Sequence, residues 1–408
     1  MNRKILSLAV ATALATPMAS YADVKLSGIV QAEMISLEVA EGDEKLTASS
    51  IRGNSFDDMD RQTLTNDFLG TVLNEGPNHL QFDIDEKLGG GLSAQARYTA
   101  AFNASGNFGT ALIGEEAWVG LGTANFHVRY GTLTGAYKSS HTMIDPWSFT
   151  SLQARATGGG MSGEYFNRFV TDAATGKVTG IDVNRWDAQN GLTNDGFVEG
   201  ALELGVNYYG FSFTLQGFVD DASAMDGAGL LELRYSAPGD FFTMWLAGSY
   251  TDLDDVGNVG SDIVDAVTDE EEVDDDNEGL GNWKIGGAFK LGSMVTFGLQ
   301  YEDAEIGALD NGINPDGGNY ILGSLEIKPM PNISFAGWVA GYLSDIDEKL
   351  RMIDNEGNPI EEDALSWAVG AKYHFSQRTS VYAGYRQTDS DNDYRDENVA
   401  TLGIRHVF

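Results

Sequence analysis

The chain has 408 residues, 42% of them hydrophobic, with 50 Gly, 8 Pro and no Cys. That length allows two or three ordinary domains or one large barrel, and the lack of Cys excludes a disulfide scaffold. With 61 Asp and Glu against 25 Lys and Arg the net charge is −36, which repels nucleic acid.

The N-terminus has the form of a secretory signal. Arg3 and Lys4 precede an apolar stretch, Ile5–Ala15, too short to span a bilayer as a helix. Ser20-Tyr21-Ala22 puts small residues where signal peptidase reads, so cleavage is expected after Ala22, leaving 23–408 as the mature domain. Losing Arg3 and Lys4 leaves 23 basic residues against 61 acidic ones, a net charge of −38. No other stretch reads as a transmembrane helix, so any membrane span must be made of strands. The mean hydropathy of −0.21 does not oppose this. In a barrel, lipid-facing residues alternate with polar ones and cancel in the average.

From Asp23 onward the apolar pattern has period two. Val24, Leu26, Gly28, Val30, Ala32 and Met34 alternate with Lys25, Ser27, Ile29, Gln31 and Glu33; then Leu80, Phe82 and Ile84 alternate with Gln81, Asp83 and Asp85. Sixteen such segments are predicted, at 24–35, 79–88, 92–102, 115–121, 125–132, 197–209, 211–220, 229–236, 241–250, 282–290, 294–302, 319–327, 333–343, 365–375, 379–388 and 398–408. Many run to about ten residues, enough to cross a bilayer at a tilt. Short connections such as Gly89-Gly90-Gly91, Gly122-Thr123-Ala124 and Gly210 alternate with long ones, the longest near 133–196. An even strand count with short and long connections in turn gives an all-β, sixteen-stranded antiparallel transmembrane β-barrel. Tyr208, Phe211, Tyr235, Phe242, Phe289, Phe297, Phe335, Tyr373 and Phe375 flank the short connections, where an aromatic girdle is expected.

The ending Leu402-Gly403-Ile404-Arg405-His406-Val407-Phe408 resembles the closing strand of Gram-negative general porins. So do Asp23-Val24-Lys25-Leu26-Ser27-Gly28, Ala117-Trp118-Val119-Gly120-Leu121-Gly122, Tyr130-Gly131-Thr132-Leu133-Thr134-Gly135 and Phe375-Ser376-Gln377-Arg378-Thr379-Ser380-Val381-Tyr382-Ala383-Gly384-Tyr385. The resemblance implies a homotrimer in the bacterial outer membrane, in contact with its lipid. It also implies a third loop folded inward to narrow the pore, and a terminal aromatic, Phe408, read by the barrel-assembly machinery. One departure is Thr132 after Gly131, where the family often has an Arg.

A pore works by its cross-section and by the charge that lines it. Basic wall candidates are Arg97, Arg129, Lys25, Arg234 and Arg386, with Arg97 and Arg129 foremost; the third loop offers Asp145, Arg155, Glu164, Arg168 and Asp172 as constriction candidates. A basic wall facing acids on that loop would set up a transverse field, whereas cross-strand pairing would neutralise most of these charges locally. Part of 134–163 is expected to enter the lumen, since a loop of this length is improbable as a plain surface connection.

The connection after the ninth strand is dense in carboxylates, among them Asp269, Glu270, Glu271, Glu272, Asp274, Asp275 and Asp276. It forms a solvated acidic mouth that lacks the ligand spacing of a defined calcium loop. No nucleophile elbow, phosphate loop or zinc-helix motif occurs, and the five His are scattered. No enzyme activity, cofactor or metal site is therefore expected. The leading function is passive diffusion of small hydrophilic solutes and ions. The alternatives are a substrate-specific channel using Trp118, Trp147, Trp186, Trp245 and Trp338, and a barrel-anchored adhesin or receptor whose long loops bind a partner.

Overall fold

A computed structural model describes residues 22–39, 62–65, 78–102, 113–155, 159–163, 168–171, 178–182, 191–194, 196–219, 228–251, 280–304, 318–344, 363–391 and 396–408. Sixteen long strands run in chain order around one antiparallel sheet. They are β1 (Asp23–Val39), β2 (His79–Gly89), β3 (Leu92–Ala101), β4 (Ile113–Gly122), β5 (Phe126–Thr134), β6 (Phe197–Tyr208), β7 (Phe211–Phe218) and β8 (Gly229–Ser236). The second half comprises β9 (Phe242–Thr251), β10 (Leu280–Leu291), β11 (Val295–Ala304), β12 (Gly318–Met330), β13 (Ile333–Ser344), β14 (Ala364–His374), β15 (Thr379–Ser390) and β16 (Glu397–Val407). Each corresponds to a predicted segment. A short strand, Gln62–Thr65, adds to the sheet beside Met34–Leu37 of β1.

The sheet closes because β1 serves two neighbours. Its first half, Asp23–Ile29, pairs with β2, and its second half, Ile29–Val39, pairs with β16. This stagger is the shear that a closed barrel requires. The seam ends on Phe408, whose backbone N–H donates to the Gly28 carbonyl at 3.1 Å and whose carbonyl accepts from the Gly28 N–H at 3.2 Å. Gly28 has no room for a side chain: an added Cβ would lie 2.4 Å from the His79 carbonyl oxygen and 2.7 Å from the Phe408 ring.

The barrel is turned inside out relative to a water-soluble one. Along β13, Phe335, Val339 and Leu343 face outward and are about half exposed, while Ser334, Ala336, Trp338, Ala340 and Tyr342 are buried inside. On β6, Leu202, Leu204 and Val206 face outward around the buried Glu203. Apolar outside and polar inside suits a barrel spanning lipid. The tight connections lie at one end. Between β6 and β7, Tyr209 and Gly210 both have positive φ (48° and 86°), the geometry of a two-residue hairpin turn whose twist matches the strands. The aromatics around these turns touch in sequence: Phe211 with Tyr235 (4.7 Å between centroids), Phe242 with Phe289 (4.4 Å), Phe289 with Phe297 (4.8 Å) and Tyr373 with Phe375 (5.0 Å).

Residues 1–21, most of the predicted signal, and the acidic 252–278 connection lie outside the described residues.

The Phe408 seam makes a first prediction. Deleting Phe408 removes two backbone hydrogen bonds and one girdle ring from the closing edge, so the barrel should reach the outer membrane in severalfold lower amount. Heat-modifiable mobility of membrane fractions on gels measures this. Unchanged amounts under modest expression would refute it.

Candidate functional site

The long connection after β5 turns into the lumen. It forms a 3₁₀ turn at Lys138–Ser140, a single helical turn, α1 (His141–Ile144), and an irregular run to Arg155, and most of its side chains are buried. Ile144, Trp147, Leu152, Ala154 and Met161 pack against Trp245, Leu322, Trp338 and Tyr382 on the wall of β9–β15. Polar wall groups then satisfy the loop's backbone. The Arg405 Nη2 donates to the Ser148 and Phe149 carbonyls (3.1 and 2.9 Å), the Arg386 Nε to the Ser151 carbonyl (3.1 Å), and the Lys372 ammonium to the Pro146 carbonyl. Glu33 accepts the Ser151 N–H at 3.1 Å and the Tyr382 hydroxyl at 2.8 Å. Glu302, fully buried, accepts from the Tyr137 hydroxyl (2.6 Å), the Asn194 amide (2.8 Å) and the Ser162 hydroxyl. Indole N–H groups complete the seam: Trp147 donates to the Ala336 carbonyl and Trp338 to the Leu152 carbonyl.

Because the loop is fixed to one wall, space remains against the other. A cavity of about 430 Å³ lies between the loop residues Thr134–Thr142 with Phe149 and the wall of β2–β6 with parts of β7 and β8. Its wall is a mosaic of paired charges. Arg97 donates to Asp83 at 2.7 Å and to Glu116 at 3.4 Å; Arg129 donates to Glu203 at 3.0 Å. Both pairs follow from register, since Asp83 faces Arg97 and Arg129 faces Glu203 directly across their ladders. The Arg129 guanidinium stacks 4.4 Å above Trp118, and Arg97 lies 5.7 Å from the same ring.

This geometry, an apolar exterior, a charged lumen and a loop pinned inside, is shared with known proteins. The sequence matches the Gram-negative porin family over residues 7–393. The chain belongs to that family. It is an outer-membrane diffusion channel of Gram-negative bacteria. No curated protein matches it in sequence. Among solved structures, the fold is similar to an anion-selective porin from Comamonas acidovorans (13% identity, 95% of this chain and 100% of that chain, TM-score 0.60). It is also similar to the outer-membrane protein OmpT of Vibrio cholerae (13%, 95% and 98%, TM-score 0.56) and to the outer-membrane channel DcaP of Acinetobacter baumannii (12%, 95% and 97%, TM-score 0.53).

The candidate residues of this porin fall into three groups. Arg97 and Arg129 line the cavity. Arg234 reaches across from β8 and ties the loop, donating to Ser139 Oγ at 2.6 Å and to Glu232 at 2.6 Å, while Arg386 is wholly buried beneath the loop and pairs with Glu397 at 3.0 Å. Lys25 is exposed at the start of β1, opposite Asp83, and outside the cavity lining. On the loop, Asp145 and Arg155 are both buried. Asp145 accepts the N–H groups of Trp147 and Ala154, each at 2.8 Å, and so closes the loop on itself. Burial pushes its carboxyl up to about 6, against the pull of those two donors. Arg155 donates to the Asn194 carbonyl at 3.2 Å. Arg168 opens a short strand, Arg168–Thr171, paired with Val178–Asp182; Glu164 and Asp172 lie outside the described residues.

The carboxylate partners of the two cavity arginines thus stand on the wall rather than on the described part of the loop. Thr132, where the family often carries Arg, pairs with Ala117 on the outward-facing side of its ladder, so the lumen charge here comes from Arg97 and Arg129 instead. Sequence reasoning missed Glu302, Lys284 and Gln216 as loop anchors, because their partners are far away in the chain. Gln216, for instance, bonds the Ala136 N–H (2.7 Å) and the Thr134 carbonyl (2.9 Å).

Two outcomes follow for the loop. Shortening it within residues 134–163 should raise single-channel conductance severalfold in planar bilayers; equal conductance would mean that the loop does not limit flow. Glu302→Ala strips one buried acceptor from Tyr137, Ser162 and Asn194, and each buried donor left unsatisfied costs about 1–3 kcal/mol. Open-channel current noise should rise, and wild-type noise would place the anchoring elsewhere.

Proposed function

We propose that the protein is a non-specific, non-enzymatic, homotrimeric diffusion pore, exported with cleavage after Ala22, and that the 430 Å³ cavity beside the pinned loop is its throat. The observation that carries this reading is the loop's attachment by charged hydrogen bonds to β9–β16, which leaves a charge-lined opening between the loop and the wall of β2–β6 with parts of β7 and β8. Trimeric assembly is supported by a trimer form of the Vibrio cholerae protein OmpT, 14% identical with a TM-score of 0.55. Non-specific passage is favoured over a sugar-selective track by the aromatic side chains. Trp147, Trp245 and Trp338 are buried in the seam behind the loop, and Trp118 is covered by two guanidinium groups.

Selectivity is set by two charge sets of opposite tendency. At the throat Arg97 and Arg129 pull toward anions against the carboxylates paired with them, and the acidic connections of the sequence favour cations. Mouth charges act through water and are screened beyond about 8 Å at physiological salt. Throat charges, with low-dielectric walls around them, are screened less. The porin should therefore prefer cations at low salt, and less so as salt rises. Arg129→Ala leaves Glu203 without its guanidinium and should move the reversal potential further toward cations in planar bilayers across a salt gradient. An unchanged potential would remove Arg129 from the conducting path, and an absence of any conductance would sink the pore reading altogether.

A further inference from the structure

Strand alternation sends one residue of each adjacent pair into the lumen, and β4 breaks that rule once. Tyr98 pairs with Ala117 but Ala100 pairs with Gly114, so the single residue Thr99 opposes two, Glu115 and Glu116. A bulge of this kind re-aims side chains, and here both carboxylates line the cavity. Glu116 is occupied: it accepts the Thr134 N–H at 3.3 Å and hydroxyl at 3.0 Å, and pairs with Arg97. Glu115 has no hydrogen bond and no ion pair among the described residues; the charges acting on it are Glu116 beside it and Arg155 of the loop.

Other groups lining the same cavity have unused hydrogen-bonding capacity. Thr99 Oγ1 and His141 Nε2 are buried without partners, on residues each only 4% exposed. The His141 Nδ1 lies 2.9 Å from the Lys138 carbonyl, which can only accept, so Nδ1 carries the proton and Nε2 is left as an acceptor. Burial, with Arg155 and Lys138 nearby, holds this imidazole well below its usual range and therefore neutral. Leaving such atoms unsatisfied is unfavourable, and a ligand donor would relieve it. Of the four carboxylates that line the cavity, Glu116, Glu203 and Glu232 are each paired with an arginine: Arg97, Arg129 and Arg234. The fourth, Glu115, has no such partner among the described residues.

We propose that this corner of the throat binds the primary ammonium group of a small solute, with Glu115 as its counter-charge and Thr99 and His141 accepting its other N–H groups. A primary ammonium has three donors and no acceptor, which matches a carboxylate, a hydroxyl and a bare imidazole nitrogen. A quaternary ammonium brings the charge but none of the donors. The inference rests on the reading of the cavity as the conducting throat.

The test uses the purified protein in planar bilayers, with ethylammonium chloride on one side and tetramethylammonium chloride on the other. The wild-type permeability ratio should exceed the ratio of the ions' aqueous mobilities severalfold. Glu115→Gln should return it to the mobility ratio. Thr99→Val removes a hydroxyl that bonds nothing within the described protein, so it should fold whatever the fate of Glu115→Gln, and it should lower the ratio part of the way. A wild-type ratio equal to the mobilities, or a ratio untouched by both substitutions, overturns the site. Steady potassium chloride conductance in that case leaves the throat reading intact, whereas a protein that conducts neither salt fails both.

Discussion

Lipid offers no hydrogen bonds, and the architecture of this porin follows from that deficit. Every backbone N–H and C=O in the hydrocarbon layer must find a partner in the sheet, so the sheet has to close. Closure falls on one strand: β1 pairs with β2 through its first half and with β16 through its second, and the last residue of the chain completes the ladder at Gly28. The bare Cα of Gly28 is part of the device, because any side chain there would meet the His79 carbonyl and the Phe408 ring.

Closure creates a second problem, a lumen lined by side chains that must stay solvated or paired. On the β9–β16 wall the solution is the third loop. Arg386 and Glu302 are buried there, as is Glu33 on neighbouring β1, and Arg405 and Lys372 are partly covered; each has loop backbone or loop side chains as partners. A buried charged group left unpaired costs several kcal/mol, so the wall and the loop stabilise each other. The opening is what this mutual satisfaction leaves uncovered. Its position, against β2–β6, is a consequence of where the anchoring charges are.

On the open wall the charges satisfy one another across strands. Asp83 with Arg97 and Arg129 with Glu203 are direct ladder neighbours. The Asp83–Arg97 pair, about a third exposed, contributes only about 0–1 kcal/mol to stability; the effect of both pairs is on the field an ion meets. A throat of paired charges presents alternating patches rather than one strong sign, and a single unpaired group such as Glu115 then weighs more than the overall count suggests.

Much of the barrel was legible in the sequence because its signals are local. Alternation marked the sixteen strands, glycine runs and Gly210 marked the tight turns, and Phe408 marked the end of the last strand. Strand limits were less so: β1 extends to Val39, beyond the apolar stretch ending near Ile35, because ladder pairing with β16 needs backbone rather than hydrophobic side chains. The charged residues of the lumen were also identifiable, since they sit on the polar half of each strand. Their roles were not. Arg386 and Asp145 look like pore-lining charges in the sequence, yet one is buried under the loop and the other closes the loop on its own N–H groups. The Glu115-Glu116 doublet interrupts strict alternation, a trace of the bulge, but only the register against Thr99 shows that both carboxylates enter the throat. The sequence by itself determined strand number, barrel class and the inside-out polarity, because these depend on residues one or two apart. Which charges line the opening and which fasten the loop was decided by the tertiary structure, because those partners lie 100 or more residues apart and meet only once the barrel has closed around the loop.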